Sequence, residues 1–263
     1  MAVKDTKLHT AYIVSNTRVG DGIYELVLVC DELARTMLPG EFINIHVPGS
    51  QTELLSIPLS FSHIDVEAGL IYLAYAVVGS ATKRLSALEA KTALRVLGPC
   101  GHGWDIPQSK EKALLVSGGI GAPPVLAAAA LFKSQGIAVD VIIGAQTADK
   151  LWGVKRAHAI GVDRLFLTTD DGTLGEKGFT TDVMQKLLAE TSYGCVCTCG
   201  PAPMMKRVAA LAKAAHIPCQ ASLERMMTCG FGACATCTVQ MVDGSNKGCC
   251  MVGPVFNAEE VAW

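Results

Sequence analysis

Ala113-Leu-Leu-Val-Ser-Gly-Gly-Ile-Gly-Ala-Pro-Pro-Val125 is a short apolar strand, a glycine turn and the opening of a helix. Glycine lets a backbone approach a ligand closely, and the free N–H groups of a helix start attract phosphate. Pro124 stands where the strict G-x-G-x-x-G pattern wants its third glycine. The stretch also lies in the longest uncharged run, the 20 residues Ala113 to Phe132. That run is long enough to span a bilayer, but glycines and prolines at its middle read as a buried turn, so no membrane span is expected.

Downstream, apolar strands alternate with helical segments. Ala138–Ile143, Arg164–Thr168 and Cys195–Cys199 read as strands; Val125–Ser134, Thr181–Glu190 and Pro203–Ala215 read as helices. Such alternation means a mostly parallel sheet covered by helices. Two more turns, Thr169-Asp-Asp-Gly172 and Cys199-Gly-Pro-Ala-Pro-Met-Met205, follow strands of that sheet. Nucleotides bind at the carboxyl ends of parallel strands. Gly118, Gly119, Gly121, Asp171, Cys199, Gly200 and Pro201 are therefore the nucleotide candidates. Gly144-Ala-Gln-Thr147 offers no arginine for a 2′-phosphate, which favours NAD over NADP.

Upstream, the pattern is all-β. Tyr24–Val29, Glu41–Val47 and Leu70–Val78 are apolar or alternate with period two, and turns such as Gly20-Asp-Gly22 and Pro39-Gly40 separate them. A barrel or sandwich is expected, with one short helix near Thr82–Leu88. The fold class is thus multi-domain: an antiparallel β-barrel over 1–105, an α/β parallel-sheet nucleotide-binding domain over 106–222, and a small C-terminal segment over 223–263.

That last segment is rich in Cys, Gly and Met. Thr238–Val242 alternates, Asp243-Gly244 is a hairpin turn, and the chain returns through Gly248-Cys249-Cys250. About forty residues rarely bury enough surface to fold alone, and a metal staple is the usual remedy. Cys229-x4-Cys234-x2-Cys237, with a fourth thiolate at Cys249 or Cys250, is plant-type 2Fe–2S spacing. Soft thiolates suit iron, and Gly230 and Gly232 let the loop wrap closely. Cys249 and Cys250, adjacent in an extended segment, should point to opposite sides, so only one is a ready ligand. Structural zinc is the alternative, but it usually takes two Cys-x(2–4)-Cys knuckles and the second is missing. Cys195, Cys197 and Cys199, with Cys30, Cys100 and Cys219, read as small buried hydrophobes.

The 263 residues include 11 cysteines and carry a net charge of −2; half are hydrophobic and 17% charged. This balance excludes a largely disordered chain and gives no basic face for nucleic acid. Met1–Lys7 is polar and lacks an apolar signal core. A chain so rich in thiols and without an export signal is expected in the cytoplasm, with metal rather than disulfides. The histidines show no catalytic context, and Ser222-Leu-Glu-Arg225 reads as architecture.

Together, Gly118-Gly-Ile-Gly-Ala-Pro-Pro124, Cys199-Gly-Pro-Ala-Pro-Met-Met205 and Leu223-Glu-Arg-Met-Met-Thr-Cys-Gly-Phe-Gly-Ala-Cys-Ala-Thr-Cys237 resemble the ferredoxin-reductase-like flavoproteins. More narrowly, the chain resembles the electron-transfer subunits of dihydroorotate dehydrogenase B over essentially its whole length. In that family a Cys-x-x-Gly-Pro-Val-Phe pattern carries the fourth ligand, which selects Cys250, so the metal set becomes Cys229, Cys234, Cys237 and Cys250. The family's barrel binds FAD through Arg-Pro-x-Ser, here Ile57-Pro58-Leu59-Ser60 with its arginine absent. Its second segment matches Ala74-Tyr75-Ala76. Its third, Gly-x-Gly-Thr, is Gly79-Ser80-Ala81-Thr82, with the second glycine lost. Lys83 or Arg84 stands nearby to supply the missing charge.

The resemblance implies a carrier holding FAD, a 2Fe–2S cluster and NAD. Nicotinamide moves two electrons as hydride, a cluster moves one, and flavin accepts either and so sits between them. It further implies an FMN-containing dihydroorotate dehydrogenase catalytic subunit as partner, in a two-plus-two heterotetramer. The rivals are a reductase subunit coupling NAD(P)H to ferredoxin or an oxygenase, and a zinc-stapled, non-enzymatic interaction subunit.

Overall fold

The computed structural model describes residues 6–49 and 55–263; Met1–Asp5 of the polar amino terminus lie outside them. The first strands are β1 (Lys7–Gly20), β2 (Ile23–Val29), β3 (Phe42–His46), β4 (Ile57–Asp65), β5 (Leu70–Ala76) and β6 (Ala93–Cys100). They close into an antiparallel barrel in the order β1-β2-β5-β4-β3-β6. Two short helices accompany them, α1 (Asp31–Thr36) and α2 (Ser80–Ser86). β1 carries Ala11 and Ile13 into the barrel but leaves Leu8, Tyr12 and Val14 exposed on its other face. Apolar residues on both faces mask the period-two signal, which is why this longest strand is hard to see in the sequence.

The second sheet comes from β7 (Ala113–Gly118), α3 (Ala122–Ser134), β8 (Val139–Ala145), α4 (Val154–Ile160), β9 (Arg164–Thr169), β10 (Glu176–Lys177), α5 (Thr180–Glu190), β11 (Cys195–Cys199), α6 (Ala202–Ala214) and β12 (Cys219–Ser222). Its order is β10-β9-β8-β7-β11-β12-β15. The chain winds outward from β7 in one direction, then returns to place β11 on its other side. Ligands bind in open parallel sheets at that reversal, beyond the carboxyl ends of the strands. The β7 turn is therefore the topological centre of the sheet. At the opposite end of the strands, fully buried Asp140 accepts hydrogen bonds from Arg164 Nη2 at 2.6 Å, Tyr193 Oη at 2.8 Å and Lys112 Nζ at 3.2 Å.

The remaining elements are β13 (Thr238–Gln240), β14 (Asn246–Gly248), α7 (Cys249–Val252) and β15 (Val255–Asn257). β13 and β14 form the expected hairpin. Cys249 and Cys250, however, open a one-turn helix instead of lying in an extended strand. Cys249 N–H donates to Cys237 C=O at 2.9 Å, and Gly253 N–H closes the turn on Cys249 C=O at 3.1 Å. β15 then pairs antiparallel with β12. One apolar cluster runs through Phe42 of the barrel, Val116 and Val196 of the sheet, and Val239, Met241 and Val261 of the carboxyl-terminal segment. The short segment thus borrows its core from both larger units. No helix among the described residues is long and apolar enough to cross a membrane.

Candidate functional site

The cysteine loop runs from the end of β12 to β13. Gly230 and Gly232 hold φ of +79° and +88°, where side chains are strained. A Cβ on Gly230 would meet Asn44 Nδ2 at 2.9 Å, and one on Gly232 would meet Met251 Cγ at 2.8 Å. The loop is therefore pressed between the barrel wall and α7. Its thiols fall into two pairs. Cys234 Sγ donates to Cys229 Sγ at 3.4 Å. Cys250 N–H donates to Cys237 Sγ at 3.3 Å.

Two thiolates on one tetrahedral metal lie about 3.8 Å apart when the metal–sulfur bonds are about 2.3 Å, so the first pair has the spacing one iron needs. Among the described residues no three His, Cys, Asp or Glu side chains gather as a site for a single ion. Cys229 with Cys234, and Cys237 with Cys250, could each hold one iron of a two-iron cluster. Hydrogen bonds led by the Thr236 hydroxyl hold the Cys234 thiol down at about 6, which favours the thiolate that metal binding requires. Cys249 is turned away: its Sγ donates to Leu223 C=O at 3.5 Å. Burial pushes its thiol up to about 12, against a smaller downward pull from the Arg225 charge.

A cavity of 440 Å³ opens between the barrel, the β7 and β11 turns and the start of the cysteine loop. Ile57, Pro58, Leu59 and Ser60 line it, as do Ala74, Tyr75, Ala76, Thr82 and Cys199. Three sequence segments far apart in the barrel thus meet the β7 and β11 turns of the second sheet. Ala81 is not on the wall; its neighbour Thr82 is, with its hydroxyl accepting from Val78 N–H at 3.0 Å and Gly79 N–H at 3.1 Å. Tyr75 is fixed by its hydroxyl, which donates to Asn16 Oδ1 at 2.9 Å. Neither Lys83 nor Arg84 lines the cavity, whereas Arg225 does. Ser222, Glu224 and Arg225 are wall residues, not mere architecture. No spacing rule marks them, because their role comes from where β12 ends.

A second cavity, of 540 Å³, lies at the carboxyl ends of β7, β8, β9 and β11. Gly118, Gly119 and Pro201 line it; Gly121, Gly200 and Asp171 do not. Gly121 and Gly200 serve packing instead. A Cβ on Gly121 would strike Cys199 O at 2.3 Å, and one on Gly200 would meet Gly118 N at 2.9 Å. Asp171 caps its own loop, accepting from Thr173 N–H at 3.0 Å and Thr173 Oγ1–H at 2.7 Å. Its neighbour Asp170 faces the cavity, together with Lys150 and Arg207. An aspartate pair on one turn gives the sequence no means of saying which carboxylate faces outward.

Comparison with known proteins agrees with this geometry. Residues 224–262 match the family model described as the iron-sulfur cluster binding domain of dihydroorotate dehydrogenase B. The electron transfer subunit of dihydroorotate dehydrogenase B (NAD(+)) from Bacillus pumilus is 36% identical over 95% of this chain and 96% of its own length. A probable electron transfer subunit of the same enzyme from Methanocaldococcus jannaschii is 38% identical over 83% of this chain and 78% of its own. Among solved structures, an NADH-dependent reduced ferredoxin-NADP oxidoreductase studied for electron bifurcation superposes with a TM-score of 0.88 at 31% identity, covering 96% of this chain and 89% of that one. With its cysteine loop, barrel and sheet all in their places, the chain belongs to the family of dihydroorotate dehydrogenase B electron transfer subunits.

Proposed function

We propose that the chain carries FAD in the 440 Å³ cavity, a 2Fe–2S cluster on Cys229, Cys234, Cys237 and Cys250, and NAD in the 540 Å³ cavity. One observation carries this reading: Ser222–Met227 both wall the first cavity and lead directly into Cys229. A two-electron donor site, a flavin site and a one-electron site thus adjoin in the order that their chemistry requires. Bound flavin would exchange electron pairs with nicotinamide and single electrons with the cluster. The protein's own contribution is placement. The glycine turn brings backbone to the nucleotide, Tyr75 and Pro58 set the width of the flavin slot, and the cysteine loop holds thiolates at its far end.

The flavin motif segments lost an arginine and a glycine, yet all three still meet at one cavity, so the residues present fit FAD. The electrons pass between NAD and a partner that oxidises dihydroorotate at FMN, in a two-plus-two assembly in the cytoplasm. Two features support a partner. Cys234 is exposed, and Met226, Phe231 and Met251 of the same carboxyl-terminal segment are 69%, 54% and 44% exposed. Apolar side chains clustered at a surface mark an interface. All eleven cysteines are free, which suits a reducing compartment.

The test is reconstitution. The isolated chain should reduce dyes with NADH and leave dihydroorotate untouched; NAD-linked dihydroorotate oxidation should appear only when the FMN subunit of the same genome is added. Activity in the isolated chain, or no association under anaerobic conditions, contradicts the proposal. The 31% identical oxidoreductase structure favours a second reading, transfer to a ferredoxin-type acceptor; ferredoxin reduction by the isolated chain would support it.

A further inference from the structure

The flavin cavity poses a charge problem. FAD brings a diphosphate, and the arginine that the family's motif offers it is Ile57 here. Among the described residues lining the cavity, only Glu224 and Arg225 carry a carboxylate or a cation. Glu224 is exposed to solvent. Arg225 is the one cation among the described residues of the cavity wall. Its Nη1 donates to Glu224 C=O at 2.9 Å, which turns the guanidinium back along the chain.

Arg225 also stands four positions before Cys229, and two positions after Leu223, whose C=O accepts from Cys249 Sγ at 3.5 Å in the turn that carries Cys250. One half-buried cation therefore lies between the cavity and the cysteine loop. We propose that Arg225 is the electrostatic residue shared by both redox sites, holding FAD in place of the lost arginine and favouring the reduced form of flavin and cluster alike. The proposal rests on the cofactor assignment above. Added electrons bring negative charge to each group, and a fixed cation at the boundary lowers the cost for both. At an effective dielectric of about 20, a unit charge within 10 Å shifts a one-electron equilibrium about tenfold or more, which corresponds to about 59 mV per tenfold.

The test uses the full chain, prepared anaerobically, as wild type, Arg225→Gln, Arg225→Lys and the double variant Ile57→Arg/Arg225→Gln. Flavin reduction is followed by visible absorption and cluster reduction by electron paramagnetic resonance during a mediated titration. FAD retention is read after dialysis. At the wild-type midpoints, Arg225→Gln should show a reduced-to-oxidised ratio about tenfold lower at both centres, and weaker FAD retention. Arg225→Lys should stay within about threefold of wild type, and the double variant should regain FAD without regaining the cluster potential. If Arg225→Gln loses FAD entirely, its cluster couple still gives the reading. A loaded Arg225→Gln protein with both couples within twofold of wild type overturns the proposal and leaves the cofactor assignment standing. A wild-type chain that binds neither FAD nor iron removes both.

Discussion

The two cavities are built in different ways. The 540 Å³ cavity comes from turns of a single sheet, all at the carboxyl ends of its strands. The 440 Å³ cavity is shared: β4 and β5 of the barrel give one wall, the β7 and β11 turns another, and the residues after β12 a third. A site within one sheet inherits its shape from that sheet's register. A site between units depends on how the units dock. Here the docking is tight, since Ala127 of α3 lies in the barrel core and Trp104 Nε1 donates to Pro124 C=O at 2.9 Å. The cysteine segment goes further in this direction, because it has no core of its own.

The sharpest break should come in the shared region. Replacing Cys229, Cys234, Cys237 or Cys250 by serine should abolish cluster content, read as iron per chain. Cys249→Ser should keep the iron and cost about 1–3 kcal/mol, because it leaves a buried hydroxyl among apolar neighbours. Loss of iron in Cys249→Ser with retention in Cys250→Ser would reverse the assignment of the fourth ligand.

Within the sheet, the largest effect should come from Asp140. Burial alone would raise its pKa, but hydrogen bonds from Arg164, Tyr193 and Lys112 outweigh this and hold the carboxyl below its ordinary value. Its contribution is therefore present above the unfolded pKa of about 3.9 and is lost as pH falls through the folded value. Asp140→Ala should cost about 2–4 kcal/mol at neutral pH, discounted because Lys112 and Arg164 keep partial solvent contact. It should also flatten the acid limb of a urea-unfolding pH series. Nucleotide binding should survive at low temperature, since the knot lies at the far end of the strands.

Smaller effects separate glycines that pack from glycines that face a ligand. Gly121→Ala should destabilise by about 2 kcal/mol because Cys199 O lies 2.3 Å from the new Cβ. Gly119 has φ of +54° and nothing within 4 Å of a new Cβ, so Gly119→Ala should cost only about 1 kcal/mol of backbone strain. Its larger effect should be on NADH affinity, measured by fluorescence titration. Equal stability losses would mean that both glycines do the same work. Ile57→Arg should tighten FAD by about one to two orders of magnitude if the new charge reaches the diphosphate. An unchanged dialysis titration would mean that Arg225 already meets that need.

What could be read in the sequence follows the same division. Cysteine spacing within one loop is local, so Cys229, Cys234 and Cys237 could be named from the residues alone. The parallel sheet followed from alternation, but which strand lies at its centre did not. Asp170 and Arg225 were not legible, because a side chain's aim depends on the register of β9 and the exit angle of β12. The one-turn helix at Cys249–Val252 was hidden by Gly248 and Gly253 on either side of it, which read equally well as turns around a strand.

The central claim is that the cavity and the cysteine loop hold flavin and iron side by side. It is tested most directly by the absorption spectrum and metal content of anaerobically purified protein. The account predicts flavin bands over a broad iron–sulfur shoulder, with iron and FAD in the two-to-one ratio of a single two-iron cluster and one flavin per chain, and no zinc. A colourless protein carrying stoichiometric zinc would contradict it.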